Sequence, residues 1–515
     1  MSVLIVSDDP VWYRSAPTTL TTSVIPGSPE RLQVSDDHGV VATLTVGAKT
    51  VTTRGPERVF RDAKRPFADE FQRTSSGDWG ISPGGGNWSR SGGSESDYYT
   101  EGGAGVIAMT SANSSRYTSV IDNVTDADAT ATFTMDRMPT GNAASLALLL
   151  SYQSSSNHYR ARLSVLTSGE VRLTLEKEIE SSTTTLAAAV SLGTGFTPGD
   201  LWNIRAERAG STVRCKAWRE GESQPAAWTH SVTDTSLGAG RVGFRGFLSS
   251  GSTALPLRFL VSRLAVHSAL WPDPPTVTHS TWVRLLDTPF SGDWTPELAD
   301  QIRAWAVDVS PDALAYGAMY LAYAPAVLDA STGAPVFGQS AYGPLDATSG
   351  VPREGGDFHE YMGVPWTFAN GEHVPAPSAA WIRTFDCSGF IRMILGYHMG
   401  VPMVRDEDFD GLNLPRRTRD IGPHGPGVIV AQTTDSPTPL TEAQIGDVVL
   451  FDADSADPGE IDHDGMLIGW DAHGLPRFLN SRKTPNGVTF GDLGGSGALV
   501  GDGLYARSLR IIRRV

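Results

Sequence analysis

The sequence predicts a multidomain protein with all-β modules in its N-terminal half and an α+β domain at its C-terminal end. Three observations predict this. The chain has 515 residues, too many for one ordinary core, so about three domains are expected. Residues 65–268 are rich in Ser, Thr and Gly and carry many strand-like runs with almost no helical periodicity. Segments around 295–323 and 387–400 instead repeat apolar residues every three to four positions. A hydrophobic content of 40% with 19% charged residues belongs to a folded chain and not a disordered one.

Residues 1–64 read as a small β module. The run RLQVSDDHGVVATLTVGAKTVTTRG places a DDHG turn before alternating Val, Thr and Leu, which is hairpin grammar. Residues 65–268 follow with strand-like runs such as ATATFTMDRM, ASLALLLSYQ, HYRARLSVL, EVRLTLEKEI and GRVGFRGFL, separated by Gly, Asn and Ser turns. Many short strands at similar spacing imply a two-sheet sandwich. Trp202, Trp218 and Trp228 are expected in its core. Cys215 alternates with Arg214 and Lys216, so it is expected to face inward as a structural thiol. Residues 269–294 are Pro-rich and read as a linker carrying one strand. Residues 295–515 form the last domain. It opens with two helices broken at Ser310-Pro311, where Ser310 is the expected cap and Pro311 the first helical residue.

Composition excludes several classes. A net charge of −16 opposes nucleic acid as the main partner, because phosphate binding needs a basic surface. Two cysteines exclude a disulfide framework and a Cys-rich zinc site, and no metal or cofactor is expected. No window reaches the ~20 apolar residues of a membrane span. The start, MSVLIVSDDPVWYR, lacks the basic segment and apolar core of a secretory signal. Work outside a cell would then need another route of delivery.

The stretch RTFDCSGFIRMIL, 383–395, holds one of the two cysteines. Phe390, Ile391, Ile394, Leu395 and Met399 make an apolar helical stripe that Gly400 ends. Asp386 is a natural N-cap, which puts Cys387 in the first turn, where free N–H groups and the helix dipole favour a thiolate. A thiolate nucleophile needs a general base. His463 opens the strand HDGMLIGW, and Asn480 on the return strand RFLNS can orient an imidazole. Cys387, His463 and Asn480 match the papain-type variant of the catalytic triad by residue type.

Over about residues 360–515, the segments FDCSGF, LPRRTRDIG, LTEAQIGDVVLFD, DHDGMLIGW and RFLNSR resemble the NlpC-type papain-like peptidoglycan peptidases. The resemblance implies a papain-like α+β fold, with Cys387 as nucleophile, His463 as base and Asn480 as the third polar residue. It places the oxyanion hole at the backbone N–H groups of Cys387 and Ser388, and Trp366 and Asp386 beside the substrate. Trp366 stands where the family usually has Tyr, and His-Asp-Gly stands for His-Val-Gly. The implied reaction cleaves the γ-D-glutamyl bond to a diamino acid in peptidoglycan stems through a thioester. Separately, LWNIRAERAGSTVRCKAW, WTHSV and GRVGFRGF resemble the closing strands of concanavalin-like jelly rolls, a family whose sheets often bind glycans.

Together these make the expected protein a wall hydrolase carried on a phage tail or tail-like particle. Its partners are bacterial peptidoglycan, other particle proteins and a cell-surface glycan, with a homo-oligomer compatible. Residues 1–64 are the expected docking module. The rivals are a structural tail or adhesin protein with an inactive peptidase fold, and an amidase or acyltransferase acting on another amide.

Overall fold

The computed structural model describes residues 3–5, 15–63, 67–82, 86–268, 273–405, 409–493 and 495–515, with residues 3–5, 122 and 123 described by backbone alone. Most of the opening stretch read for a secretory signal, and part of the Pro-rich segment, lie outside these residues. The chain forms two compact units. One contains residues 65–273 with 345–352, and the other contains 1–64, 274–344 and 353–515. The architecture is an all-β sandwich followed by a mixed α and β C-terminal region.

The sandwich unit is built from a nine-stranded and a seven-stranded antiparallel sheet. The seven strands run in the order Ser182–Gly193, Val171–Ile179, Asn157–Val165, Ala144–Ser154, Gly240–Leu248, Ser114–Val124 and Ser89–Ser91. Strand side chains alternate between faces, so Leu146, Leu148, Leu163, Leu173 and Phe244 turn inward to one apolar core. Their neighbours, residues 147, 149, 160, 162, 174 and 245, occupy the outer face. Cys215 is fully buried, and burial pushes its thiol up to about 12. Trp202 is buried as expected, but Trp228 is not a core residue. It lies half-buried beneath the cations of Arg205, Arg214 and Lys216, 4.5–5.2 Å from the ring centre.

The second unit corrects two expected boundaries. Residues 1–64 do not stand apart as a module. The hairpin Arg31–Asp36 and Gly39–Thr45 forms as the DDHG turn predicts, and the strand Thr50–Arg61 extends the same sheet. Within the expected linker, Thr276–Leu285 is a strand paired along Thr50–Arg61. The extreme C-terminus meets this sheet: the Thr50 hydroxyl donates to the Val515 carbonyl at 2.5 Å, and Arg514 donates to Thr45 at 2.8 Å. A second six-stranded sheet has the order Val428–Gln432, Leu509–Arg514, Val448–Phe451, His463–Trp470, Pro476–Arg482 and Gly487–Thr489.

The early helices are Pro296–Trp305 and Ala313–Ala318. Asp312, not Ser310, caps the second, accepting from the Ala315 N–H at 2.9 Å. The same buried carboxylate accepts from Val283 N–H and takes a bidentate bond from Arg58 at 2.7 and 2.6 Å. Burial alone would raise Asp312, but Arg58 and the two N–H groups outweigh it and hold the carboxyl below its usual range. Its contribution is therefore present above the ordinary carboxylate pKa and is lost as pH falls. Asp312→Ala leaves Arg58 buried and unpaired, and is expected to cost about 3–5 kcal/mol. Denaturant unfolding at pH 7 measures this, and the deficit relative to wild type should shrink as pH falls through the Asp312 titration.

Candidate functional site

Two places concentrate polar chemistry, and the first is the helix that begins at Cys387. Its α-helical part, Cys387–Ile391, runs into a wider π-wound turn over Arg392–His398. Asp386 caps it, accepting from the Gly389 N–H at 2.9 Å, and Gly400 leaves it at φ 79°. The cap is also the anchor of Arg416, which reaches Asp386 at 2.8 Å and the Ser388 hydroxyl at 2.8 Å. Arg392, one turn on, pairs with buried Asp357 at 2.9 Å. Asp386 thus acts as a cap and ion-pair partner. Trp366 packs edge-on against Phe358 at 4.9 Å, within the apolar core.

Strand alternation decides the geometry of the expected triad. The helix packs on the face of the sheet that carries Met466, Ile468 and Leu479. On the strand His463–Trp470 that face also receives Asp464. His463 leaves by the opposite face, with Leu467, and stacks on Tyr505 at 5.2 Å beside Phe451. Asn480 shares the His463 face: its amide N–H meets His463 Nε2 at 2.5 Å, and its carbonyl oxygen accepts from Arg482 at 2.9 Å. The structure therefore joins His463 to Asn480, but not Cys387 to His463. The partners of Cys387 Sγ are Thr418 Oγ1 at 3.5 Å and the Asp462 carbonyl at 3.9 Å.

Burial, then Asp464 and Asp386, push the Cys387 thiol well above its ordinary value. Burial, then Arg482 and Lys483, pull His463 down to about 3. Both groups are neutral at pH 7, the reverse of a thiolate–imidazolium pair. The Asn480 amide also points the wrong way, donating to a nitrogen that in the triad must carry a proton for Asn to accept. Asp464 is fully buried beside the thiol and the Thr418 hydroxyl, with neither oxygen making a full hydrogen bond. Burial, then the Asp386 charge, raise its carboxyl well above the usual range.

The second place is the outer face of the seven-stranded sheet, which the sequence reading did not single out. Register places Tyr117 opposite Arg245, Arg245 opposite Ala147, and Ala147 opposite Arg162. The next row runs Gly243, Leu149, Arg160, Glu176 and Thr185. Arg160 bonds Glu176 at 2.7 Å and Glu178 at 2.8 Å, while Arg162 bonds Glu176 at 2.8 Å. Tyr117, Tyr152 and His158 form a triangle of rings 5.8–5.9 Å apart over Ala147 and Leu149. Half-buried Phe247 and Tyr117 flank the Arg245 guanidinium at 4.7 and 5.7 Å. The available signal was the i, i+2 repeat of Arg160 with Arg162 and of Glu176 with Glu178 on neighbouring strands. It puts opposite charges in register on one face.

Among the described residues, no group of three or more His, Cys, Asp or Glu side chains could hold a metal ion. No helix there is long and apolar enough to cross a membrane. No family model and no curated protein matches the chain. Solved structures similar to part of it include a β-1,3-glucanase from Mycobacterium marinum, at 14% identity over 40% of this chain and 99% of that one, with a TM-score of 0.29. A pseudo β-1,3-glucanase of Mycobacterium tuberculosis matches at 13% identity over 40% and 100%, with a TM-score of 0.29. The carbohydrate-binding module CBM66 from Bacillus subtilis matches at 10% identity over 34% and 94%, with a TM-score of 0.25. Likeness this low assigns no activity to the chain.

The expected NlpC-type cysteine peptidase is therefore corrected. No family model matches the chain, and among the described residues no contact joins the Cys387 thiol to the His463–Asn480 pair. The stem-peptide endopeptidase activity falls with it.

Two outcomes check this geometry. Cys387 should resist iodoacetamide at pH 7.5 in the native protein and react on denaturation, as read by mass spectrometry of the labelled peptide. Asp464 binds its proton more tightly folded than unfolded, so it subtracts stability as pH rises above the unfolded carboxylate range. Asp464→Asn should raise the thermal midpoint more at pH 8 than at pH 4.

Proposed function

We propose that the protein binds carbohydrate through the outer face of the seven-stranded sheet in its sandwich unit. One observation carries this reading: half-buried aromatic rings and a registered Arg–Glu ladder lie side by side on a face that contributes nothing to the sandwich core. A saccharide ring offers an apolar face that stacks on Tyr117 and Phe247, and hydroxyls that exchange hydrogen bonds with ionised side chains. The ladder is held before any ligand arrives, because Arg160 is fixed by two carboxylates and the hydroxyl of Thr183.

The face supports binding better than hydrolysis. Burial alone would raise Glu176, but the Arg162 and Arg160 guanidiniums outweigh it and hold the carboxyl below its usual range. Glu178 is likewise held low against burial by Thr183 and Arg160. Glycoside hydrolysis needs one carboxyl that stays protonated to serve the leaving group, and neither of these does. A cell-surface glycan is the finer reading of the ligand. Carriage on a phage tail or tail-like particle, beside other particle proteins, is consistent with a domain that holds a surface.

Affinity electrophoresis of the full chain through gels containing soluble polysaccharides tests the proposal. Retardation by at least one polysaccharide is expected. Tyr117→Ala, checked for an unchanged circular dichroism spectrum, should weaken it by about two- to tenfold, since losing one aromatic contact is worth about 0.5–1.5 kcal/mol. Equal mobility in every gel would remove the proposal.

A further inference from the structure

The charges on this sheet face do not cancel, and their imbalance names a ligand class; the inference rests on the carbohydrate reading above. Arg160 and Arg162 are matched by Glu176 and Glu178, and Arg172 is matched by Glu170 at 2.8 Å. Arg245 forms no ion pair among the described residues; the more distant Glu178 charge acts on it. It donates to the Ser115 hydroxyl, 3.2 Å from Nε and 2.9 Å from Nη2, and interacts with Tyr117. Its guanidinium lies half-buried against Phe247 and Tyr117. A partly desolvated cation without a counter-ion is costly to keep, and the cost falls when an anion arrives.

The floor beside Arg245 is shallow and small. Register places Ala147 next to it on one side, and Gly243 lies one place along the same strand face. A side chain at Gly243 would meet the Thr118 carbonyl at 2.1 Å, so this position admits no bulk. Ser115 and Ser145, opposite Phe247 on its two neighbours, add hydroxyl partners. The whole protein carries a net charge of −16. Non-specific attraction of a polyanion is therefore weak, and an unpaired arginine on this face stands out against that field.

We propose that this face selects an acidic saccharide, a hexuronate-containing polymer, with the sugar carboxylate paired to Arg245 and the ring against Tyr117 and Phe247. A planar carboxylate matches the guanidinium fork and takes two parallel N–H bonds. A methyl ester of the same sugar keeps the ring and the hydroxyls but loses the charge.

Isothermal titration of the full chain with polygalacturonate and with its methyl ester, at equal ionic strength, tests the selection. Wild type should bind the acid at least tenfold more tightly than the ester. Arg245→Met, which keeps an apolar stem, should erase that ratio, mainly by weakening acid binding. Arg245→Lys should restore part of the ratio, because it returns the charge without the fork. Arg172→Met, at the already paired cation, should leave the ratio intact. Equal wild-type affinity for acid and ester overturns the selection and leaves carbohydrate binding standing. Preference that survives in Arg245→Met overturns the role of Arg245. Preference for dextran sulfate over polygalacturonate overturns carboxylate recognition. Absence of binding to acid, ester and every neutral polymer overturns both this inference and the reading beneath it.

Discussion

A strand sends consecutive side chains to opposite faces, and this period of two governs what the molecule can do. In the C-terminal sheet it sends Asp464 toward the helix that starts at Cys387, and His463 away from it. A thiol and an imidazole that look paired in sequence thereby take different partners, Thr418 for Cys387 and Asn480 for His463. In the sandwich the same alternation sends Leu146 and Leu148 inward and leaves Ala147 and Leu149 outside. The outer face then has its own small apolar floor on which rings and charges can be mounted.

Charge pairing sorts the buried polar groups into those that hold the fold and those left over. Arg58 with Asp312, Arg392 with Asp357, Arg416 with Asp386 and Arg514 with Asp447 are all matched. Each joins segments far apart in the chain and closes its own electrostatic demand. Among the described residues Asp464 forms no ion pair, and its burial favours the protonated form. Arg245 cannot resolve its burial in that way, because a guanidinium keeps its proton. A buried acid can go silent, whereas a half-buried arginine without an ion pair stays charged and stays available.

Much of the local structure was legible in the sequence. Asp386 as cap, Gly400 as terminator and the DDHG hairpin all rest on short-range rules, and all three occur. The capping error at Ser310 has a simple cause: Asp312 competes two residues on, and it wins because its carboxylate also meets Arg58 and Val283 N–H. The triad failed for a different reason. Residue type and order identified Cys387, His463 and Asn480, but which face a strand residue takes depends on where the sheet packs. The same gap hid the sandwich face. Arg160, Glu176 and Arg245 lie on three strands, and only their register makes them neighbours. The return of the N-terminal strands to the C-terminal unit was equally invisible, because Thr50 and Val515 meet across nearly the full length of the chain.

A recognition face must be stiff before it is selective, since ordering side chains on binding subtracts from affinity. The sandwich supplies that stiffness in two ways. Arg160 is pinned by carboxylates on the adjoining strand, and its position is set by backbone register rather than by a loop. Arg245 is pinned by stacking and by the Ser115 hydroxyl, which fix its plane without a carboxylate. Ion pairing would have fixed it equally well, but would have used the donors a ligand needs. Aromatic contacts are the means of holding a cation in place without neutralising it, and on this sheet they are applied to Arg245.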